Sequence, residues 1–277
     1  MELRYHLPRI DLRDYVRAYY YYATDTPSVQ PLCAELGNIR ILIDGAGSLQ
    51  MPDGDRQHIT SAFLIGPTMG AYSMDAKAGT RVFGVGIHPR GWAALLGVDA
   101  WETTNKVYDL TDFAGRVAGS TIEEIRNAAS FAEMTAAADR FFAHLYQSRV
   151  QRTCAYPQAL DRWLASPDDF DLDQLIEMMD ISRRQTDRVA KRFFGASPKV
   201  LQRKYRALRA ADRIRAGETR WLAAANTAFY DQSHFIKEFR TFIGVTPGQF
   251  INNQAQLISV VQEKRCIKTT RHTLSTI

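Results

Sequence analysis

Basic side chains dominate one short segment of the chain. Between residues 181 and 216 there are twelve Lys and Arg residues, and only Asp187 and Asp212 oppose them. This segment carries a net charge of +10, whereas the whole chain carries +5, so the remainder is acidic. A solvated helix face usually carries both signs of charge, and this one hardly does. The distribution therefore favours a polyanion as the partner of this segment.

Two clusters of side chains have chemistry suited to DNA. Arg can donate two hydrogen bonds to guanine and Gln can pair with adenine, whereas Lys and Arg further along a helix suit phosphates. The candidates in the first cluster are Arg183, Arg184, Gln185, Arg188, Lys191 and Arg192. The candidates in the second cluster are Gln232, Ser233, His234, Lys237 and Arg240. For His234, helix capping or packing explains the residue as well as a DNA contact does.

Both clusters lie in copies of one sequence pattern. The pattern Phe-x-Gly-x-(Ser/Thr)-Pro occurs in FFGASPK at residues 193–199 and in FIGVTPG at residues 242–248, 49 residues later. Each copy contains an apolar helix, a tight break and a second helix. In the first copy the two helices are LDQLIEMM and SRRQTDRVAKRFF. In the second copy they are RWLAAANTA and DQSHFIKEFRTFI. Two helices joined by a short turn form a helix-turn-helix unit.

The repeat therefore predicts two helix-turn-helix units, joined by a helix over residues 198–216. If both second helices face one side of a duplex, they would enter successive major grooves, roughly 34 Å apart.

Capping residues mark where the second helices begin and end. Ser182 can accept a hydrogen bond from the first turn while Gln185 reaches back, which is a capping box, and Asp231 can cap the second copy. Gly195 and Gly244 can adopt the left-handed conformation that ends a helix.

A new helix is predicted to start directly after each glycine. Ser197-Pro198 and Thr246-Pro247 each place a capping hydroxyl before a proline at the first helical position. The aromatic residues of the second helices are predicted to face the core, and they are Phe193, Phe235, Phe239 and Phe242.

The first 90 residues are predicted to be mostly strands. Segments rich in β-branched and aromatic residues alternate with clusters of Gly, Pro and Asp. The predicted strands cover residues 15–23, 38–44, 58–66 and 80–87. A helix is predicted over residues 89–98, and apolar spacing predicts helices over residues 120–150.

Two stretches resemble a known family. DQSHFIKEFRTFIGVTPGQF at residues 231–250 closely resembles the signature of AraC-type transcriptional regulators, and ISRRQTDRVAKRFFGASPK at residues 181–199 resembles their first helix-turn-helix. The resemblance, over residues 170–251, implies a seven-helix DNA-binding domain that activates or represses promoters near RNA polymerase. More weakly, residues 63–98 resemble a β-rich sensor-like domain that precedes some AraC-type domains, which implies ligand sensing or dimerisation.

The predicted fold class is α+β, with a β-rich N-terminal domain, cupin-like or related, followed by an all-α C-terminal domain with two helix-turn-helix units. The predicted boundaries are a sensor-like domain at 1–115, a helical connector at 116–168, the DNA-binding domain at 169–251 and a tail at 252–277. The predicted partner is double-stranded DNA, with RNA polymerase, a small-molecule effector and a second copy of the chain as further candidates. No apolar run approaches the length of a membrane span and the N-terminus carries no signal or transit peptide, so we expect a cytoplasmic location without a membrane partner.

Two other classes of function would each require residues of a particular kind. A metal-dependent β-barrel enzyme fused to a DNA-binding domain would need clustered His and carboxylate ligands, whereas the six His are dispersed. A DNA-repair methyl acceptor would need an activated cysteine, and Cys33 has no basic or cysteine neighbours. Cys33, Cys154 and Cys266 are too scattered to predict a disulfide framework. The sequence therefore predicts a regulator without catalytic residues, metal or cofactor.

Overall fold

The computed structural model of the chain describes residues 1–149, 155–166, 171–217 and 232–252. The side chains of residues 113–117 and 149 are not described. The predicted first helix of the second unit at 220–228, its Asp231 cap and the tail from residue 253 lie outside the described residues.

The first 109 residues, here called the β region, form two antiparallel sheets. The strands are β1 (Glu2–His6), β2 (Val16–Thr24), β3 (Ser28–Leu32), β4 (Asn38–Asp44), β5 (Gly47–Gln50), β6 (Arg56–His58), β7 (Ala62–Ile65), β8 (Tyr72–Ala76), β9 (Thr80–Ile87) and β10 (Val107–Asp109). One sheet has the order β1-β2-β9-β4-β7-β10 and the other has the order β3-β8-β5-β6. Strands β4 and β9 have the predicted bounds. The strand predicted over 58–66 is wrong in part, because β6 and β7 there belong to different sheets.

The tyrosines of β2 show how the six-stranded sheet covers two cores. Tyr19 and Tyr21 belong to the apolar cluster beneath the long helices that follow the β region, whereas Tyr20 and Tyr22 face the cluster between the two sheets. Successive side chains of a strand point to opposite faces, so each pair lies on its own side. Hydrophobic burial on both faces therefore fixes the register of this central strand.

The helices follow the β region with one short group inside it. They are α1 (Pro89–Gly91), α2 (Ala100–Thr103), α3 (Thr111–Asn127), α4 (Phe131–Arg149), α5 (Tyr156–Ala165), α6 (Leu172–Met179), α7 (Arg183–Phe194), α8 (Pro198–Arg215), α9 (Gln232–Ile243) and α10 (Pro247–Asn252). The helix predicted over 89–98 is a single α-turn that continues as a π-helical turn, Trp92–Leu96. It ends at Gly97, whose φ of 71° is left-handed.

Helices α3 and α4 pack on the outer face of the six-stranded sheet. Helix α3 begins at Thr111, nine residues before the predicted start. The apolar positions whose spacing predicts these helices face the sheet, and they are Ile122, Ile125, Phe131, Met134, Ala138, Phe141, Phe142 and Leu145.

Helix α5 shares a core with the helices that follow it. Leu160 and Trp163 of α5 are buried in the same cluster as Leu175 of α6, Phe194 of α7 and Leu201 of α8. The prediction assigned α5 to the connector, but its packing is with the C-terminal helices. We call α5 to α10 the helical region. No helix in the described part of the chain is long and apolar enough to cross a membrane.

Candidate nucleic-acid interface

Helix α7 starts at the predicted capping box. The Ser182 hydroxyl oxygen accepts from the backbone N of Gln185 at 3.3 Å, and the Gln185 side-chain oxygen accepts from the backbone N of Ser182 at 3.0 Å. The helix ends at Gly195, where φ is 81°. A Cβ atom at Gly195 would also lie 2.4 Å from the Thr104 hydroxyl oxygen. Glycine is therefore required there both for the left-handed turn and for the approach of the β region.

One side of α7 faces solvent and the other is buried. The exposed candidates are Arg183, Arg184, Gln185, Arg188 and Arg192, with Lys191 partly exposed. The buried side consists of Thr186, Ala190, Phe193 and Phe194. Among the described residues, Arg183, Arg184 and Arg188 have no ion-pair partner. These three guanidinium groups are therefore the α7 cations most available to an anionic partner.

The other candidates on α7 already have partners. The Nζ atom of Lys191 lies 2.8 Å from a carboxylate oxygen of Asp187 and 5.3 Å from the ring centre of Trp101. Arg192 lies 3.2 Å from a carboxylate oxygen of Asp99. The side-chain oxygen of Gln185 accepts the capping hydrogen bond, and a two-bond contact with adenine would need that same oxygen.

Helix α9 repeats this two-sided arrangement. Its candidates Gln232, Ser233, His234, Lys237 and Arg240 are all exposed. Its aromatic residues Phe235, Phe239 and Phe242 are buried, as predicted, and so is Phe193 of α7. His234 lies 3.4 Å from Glu238, four residues on, and buried Glu238 also pairs with Arg203 of α8. His234 thus has a partner within its own helix.

The helices that begin after Gly195 and Gly244 are capped differently. Thr246 and Gln249 form a capping box at α10, with the Thr246 backbone N 3.0 Å from the Gln249 side-chain oxygen. Gly244 before it has φ of 93°. The capping hydroxyl predicted at Ser197 is wrong, because its side chain makes no capping bond. The N–H groups of Val200 and Leu201 point to the Ser197 backbone carbonyl instead.

The basic segment is divided between solvent and the interior. Lys204 of α8 was predicted to belong to the polyanion-facing stripe, but it is only 2% exposed. Its Nζ atom donates to the backbone oxygens of Glu35 and Thr68 at 2.7 and 2.9 Å. An unpaired buried ammonium is very costly, so these two bonds allow it to lie inside. Helical spacing could have found it, because Leu201 and Leu208 share its face.

Other α8 cations also have structural partners. Arg209 donates to the backbone oxygen of Leu164, and Arg215 lies 2.7 Å from a carboxylate oxygen of Asp212. Burial lowers the pKa of Arg209, although nearby Tyr205 opposes the effect. Fewer α8 cations are therefore available to a DNA-facing surface than the number of basic residues in the helix indicates.

Two carboxyl groups lie where the helical region meets the β region. Burial raises the pKa of Asp161 on α5 to about 7, and the charge of Arg90 only partly offsets this. Burial also raises the pKa of Asp212 on α8, against the opposing charges of Arg215 and Arg17. Arg17 and Arg90 both belong to the β region. This contact between the regions therefore contains two carboxyl groups whose pKa lies above the ordinary value for aspartate.

A buried arginine lies between the two sheets of the β region. Arg40 of β4 donates to the hydroxyls of Tyr20 and Tyr72, each at 2.8 Å, and lies 3.8 Å from the Glu35 carboxylate. Burial opposes its charge, but Tyr20, Tyr72 and Glu35 together raise the pKa of Arg40. Sequence reasoning did not single out Arg40, which alternates with apolar residues in NIRILID. Within the described residues, no cluster of His, Cys, Asp and Glu could hold a metal ion.

Comparisons with known proteins identify the helical region. Residues 175–253 match a family described as a helix-turn-helix domain. Residues 4–109 match a domain of unknown function (DUF6597). No curated protein sequence matches the chain.

Several solved structures are similar to this chain in part. ToxT from Vibrio cholerae O395 has 11% identity and a TM-score of 0.48, covering 86% of this chain and 97% of that chain. Unsaturated fatty acid bound ToxT from Vibrio cholerae strain SCE256 has 12% identity and a TM-score of 0.48, covering 83% and 93%. The AraC-like transcriptional activator CuxR has 12% identity and a TM-score of 0.32, covering 82% and 90%.

The C-terminus therefore carries a helix-turn-helix domain of AraC type, which confirms the resemblance seen in the sequence. The chain is a DNA-binding transcriptional regulator, and its α+β architecture, with a β-rich half before a helical half, is also confirmed. The family matched at the C-terminus points to a transcription regulator.

Proposed function

We propose that the protein regulates transcription by placing α7 and α9 in successive major grooves on one side of a DNA duplex. This proposal rests on one observation, which is that α7 and α9 each have one buried side and one exposed side. Each buries its phenylalanines and leaves a row of cationic and polar side chains in solvent. A helix of this kind fits the major groove, where its first residues meet base edges.

The candidate side chains divide by position along each helix. Arg183 and Arg184 in the first turn of α7 contact base edges, and Gln185 mainly fixes the start of the helix. Further along α7, Arg188 contacts phosphate, and Lys191 and Arg192 follow it toward the β region. On α9 the base-facing residues are Gln232, Ser233 and His234, with Lys237 and Arg240 placed toward the backbone.

The β region modulates this binding. In this proposal residues 1–115 sense a small molecule or pair two chains, residues 116–168 connect the two domains, and residues 169–251 bind DNA. RNA polymerase is a further partner, and the protein acts in the cytoplasm. The contacts of α5 with α6, α7 and α8 favour moving the start of the DNA-binding unit to α5.

Selection from a random duplex library tests the proposal directly. We expect the bound sequences to share two elements about 10 base pairs apart, since each helix occupies its own major groove. Inserting about 5 base pairs between the elements rotates one of them to the opposite side of the duplex and should lower the affinity to that of a single element. Selection of a single element, insensitive to the insertion, would contradict two-helix binding. Absence of any sequence preference would overturn the function itself.

A further inference from the structure

Lys204 joins the β region to the helix between the two recognition helices. It projects from α8, and its Nζ atom binds the backbone oxygens of two loops, at Glu35 before β4 and at Thr68 after β7. These two loops are also tied to each other, because the backbone N of Glu35 donates to the Thr68 hydroxyl at 2.7 Å. Lys204 therefore completes a hydrogen-bond network that includes residues of both the β region and the helical region.

The C-terminal ends of both recognition helices are attached to the β region by backbone oxygens. On α9, the oxygens of Thr241 and Phe242 accept from the backbone N of Ala71 and Ala34, both at 2.7 Å. Just after α7, the oxygen of Gly195 accepts from the Thr104 hydroxyl at 2.8 Å. The β region thus holds the helices that we propose to enter DNA.

This attachment places the β region beside the DNA-facing side of α9. A groove of about 860 Å³ separates them, with Ser233, Lys237 and Arg240 on one wall and Asp53 and Gly70 on the other. That volume suits a small molecule, for which pockets span roughly 300–1,000 Å³. The turn that contains Asp53 and the loop that contains Gly70 therefore lie beside the side of α9 that would face a duplex.

An acidic turn borders the same side of α9. Asp53 lies in the exposed turn between β5 and β6, and it shares the groove with Lys237 and Arg240. A carboxylate there attracts the same cations that a phosphate would attract. It also repels phosphate over a range of about 10 Å at 0.1 M salt.

We propose that Lys204 is a latch that keeps the β region over α9, and that this closed arrangement must open before both recognition helices bind one duplex. The proposal rests on the proposed function, in which α9 enters a major groove. In the closed arrangement the Asp53 turn lies beside Lys237 and Arg240, where the phosphate backbone of a duplex bound by α9 would run.

Glu35 connects the latch to the interior of the β region. Its backbone oxygen binds Lys204, whereas its side chain points between the sheets, 2.7 Å from the Asn38 amide nitrogen and 3.8 Å from Arg40. A rearrangement around Arg40 would move the Glu35 loop and weaken the Lys204 bond. Opening can therefore be driven from inside the β region without any contact at the DNA-facing surface.

The latch is tested with Lys204→Met in the full chain, which keeps the length of the side chain and removes its donors. We expect the variant to bind a selected two-element duplex about 10-fold more tightly, a typical strength of coupling between sites. Hydrogen exchange at the Ala34 and Ala71 amides should quicken in the same variant. The matched control is Lys199→Met on the exposed side of α8, which removes the same charge and should give no gain. Unchanged or weaker binding by folded Lys204→Met would overturn the latch.

Asp53→Asn provides a second test that does not touch the core. The substitution keeps the side-chain oxygen that accepts from the Asp55 backbone N at 3.1 Å, so the turn is retained. We expect tighter binding at low salt, by about 2-fold to 5-fold, and a smaller gain as salt screens the charge. Glu123→Gln, an exposed site on α3, is the control for net charge.

The outcomes separate the latch from the function on which it rests. If Lys204→Met does not fold, Asp53→Asn decides alone, and equal affinity with the Glu123→Gln control would overturn the closed arrangement. If the wild-type chain binds its selected duplex and neither variant gains affinity, only the latch is overturned. If the wild-type chain binds no duplex with sequence preference, the proposed function falls and the latch falls with it.

Discussion

Ser182 and Gln185 exchange hydrogen bonds across the first turn of α7, with the backbone N of each bound to the side-chain oxygen of the other. Arg183 and Arg184 lie between them and are exposed. The capping box thus fixes the start of the helix at the point from which the proposed base contacts project. Stability and recognition are linked at this turn.

Replacing Ser182 with Ala should destabilise the helical region by about 1 kcal/mol, because the N–H of Gln185 loses its acceptor. Urea denaturation of the full chain measures the change. Ser197→Ala is a matched control, since Ser197 also precedes a helix but makes no capping bond with its side chain. An equal loss in the two variants would contradict the energetic role of the capping box.

Replacing Arg183 or Arg184 with Ala should weaken binding to the selected duplex by about 1–3 kcal/mol and relax the base preference at one position. Titrations against the selected sequence and its single-base variants measure both effects. Arg213→Ala, at an exposed site near the end of α8, removes the same charge outside the recognition helices. If both variants keep the wild-type affinity and base preference, α7 does not contact base edges.

The salt dependence of binding should distinguish Arg188 from Lys191. Arg188 is exposed and lacks an ion-pair partner among the described residues, so Arg188→Ala should lower the slope of log K against log salt by about 0.9. Lys191 is already paired with Asp187 and lies over Trp101, so Lys191→Ala should change the slope less. Equal changes would mean that DNA displaces both partners of Lys191.

Asp161 should make the stability of the protein depend on pH. An aspartate in the unfolded chain ionises near its ordinary pKa of 3.8, whereas burial raises the pKa of Asp161 in the folded chain to about 7. Between these pH values the folded state keeps a proton that the unfolded state has lost. The free energy of unfolding should therefore fall as pH rises through this window, by at most about 1.4 kcal/mol per pH unit.

Asp161→Asn tests the assignment, because it removes the titrating group and should flatten this part of the profile. The free energy of unfolding between pH 4 and pH 8 is the measurement, with exposed Glu123→Gln as the control. A profile in Asp161→Asn that keeps the wild-type slope would assign the dependence to another group, such as Asp212.

The parts of this fold that could be predicted from the sequence depend on patterns among residues that are near one another in the chain. Strands β4 and β9, the capping box at Ser182 and the left-handed glycines depend on residues close together in the chain, so their patterns are visible there. The same holds for the buried phenylalanines of α7 and α9, which repeat at helical spacing. The Ser197 prediction failed because the backbone oxygen of Ser197 already accepts the Val200 N–H, which the hydroxyl could have bound.

The sequence by itself therefore determined the helix pair α6–α7 and the helix α9 behind a β-rich region, together with the side chains that the outer faces of α7 and α9 present. Only the tertiary structure decided which cations are free. Lys204 and Arg40 have the same charge as the exposed cations of α7, but they lie among partners distant in sequence, at Glu35, Thr68, Tyr20 and Tyr72. A buried charge is stable only where such partners meet it, and folding, not local sequence, brings them together.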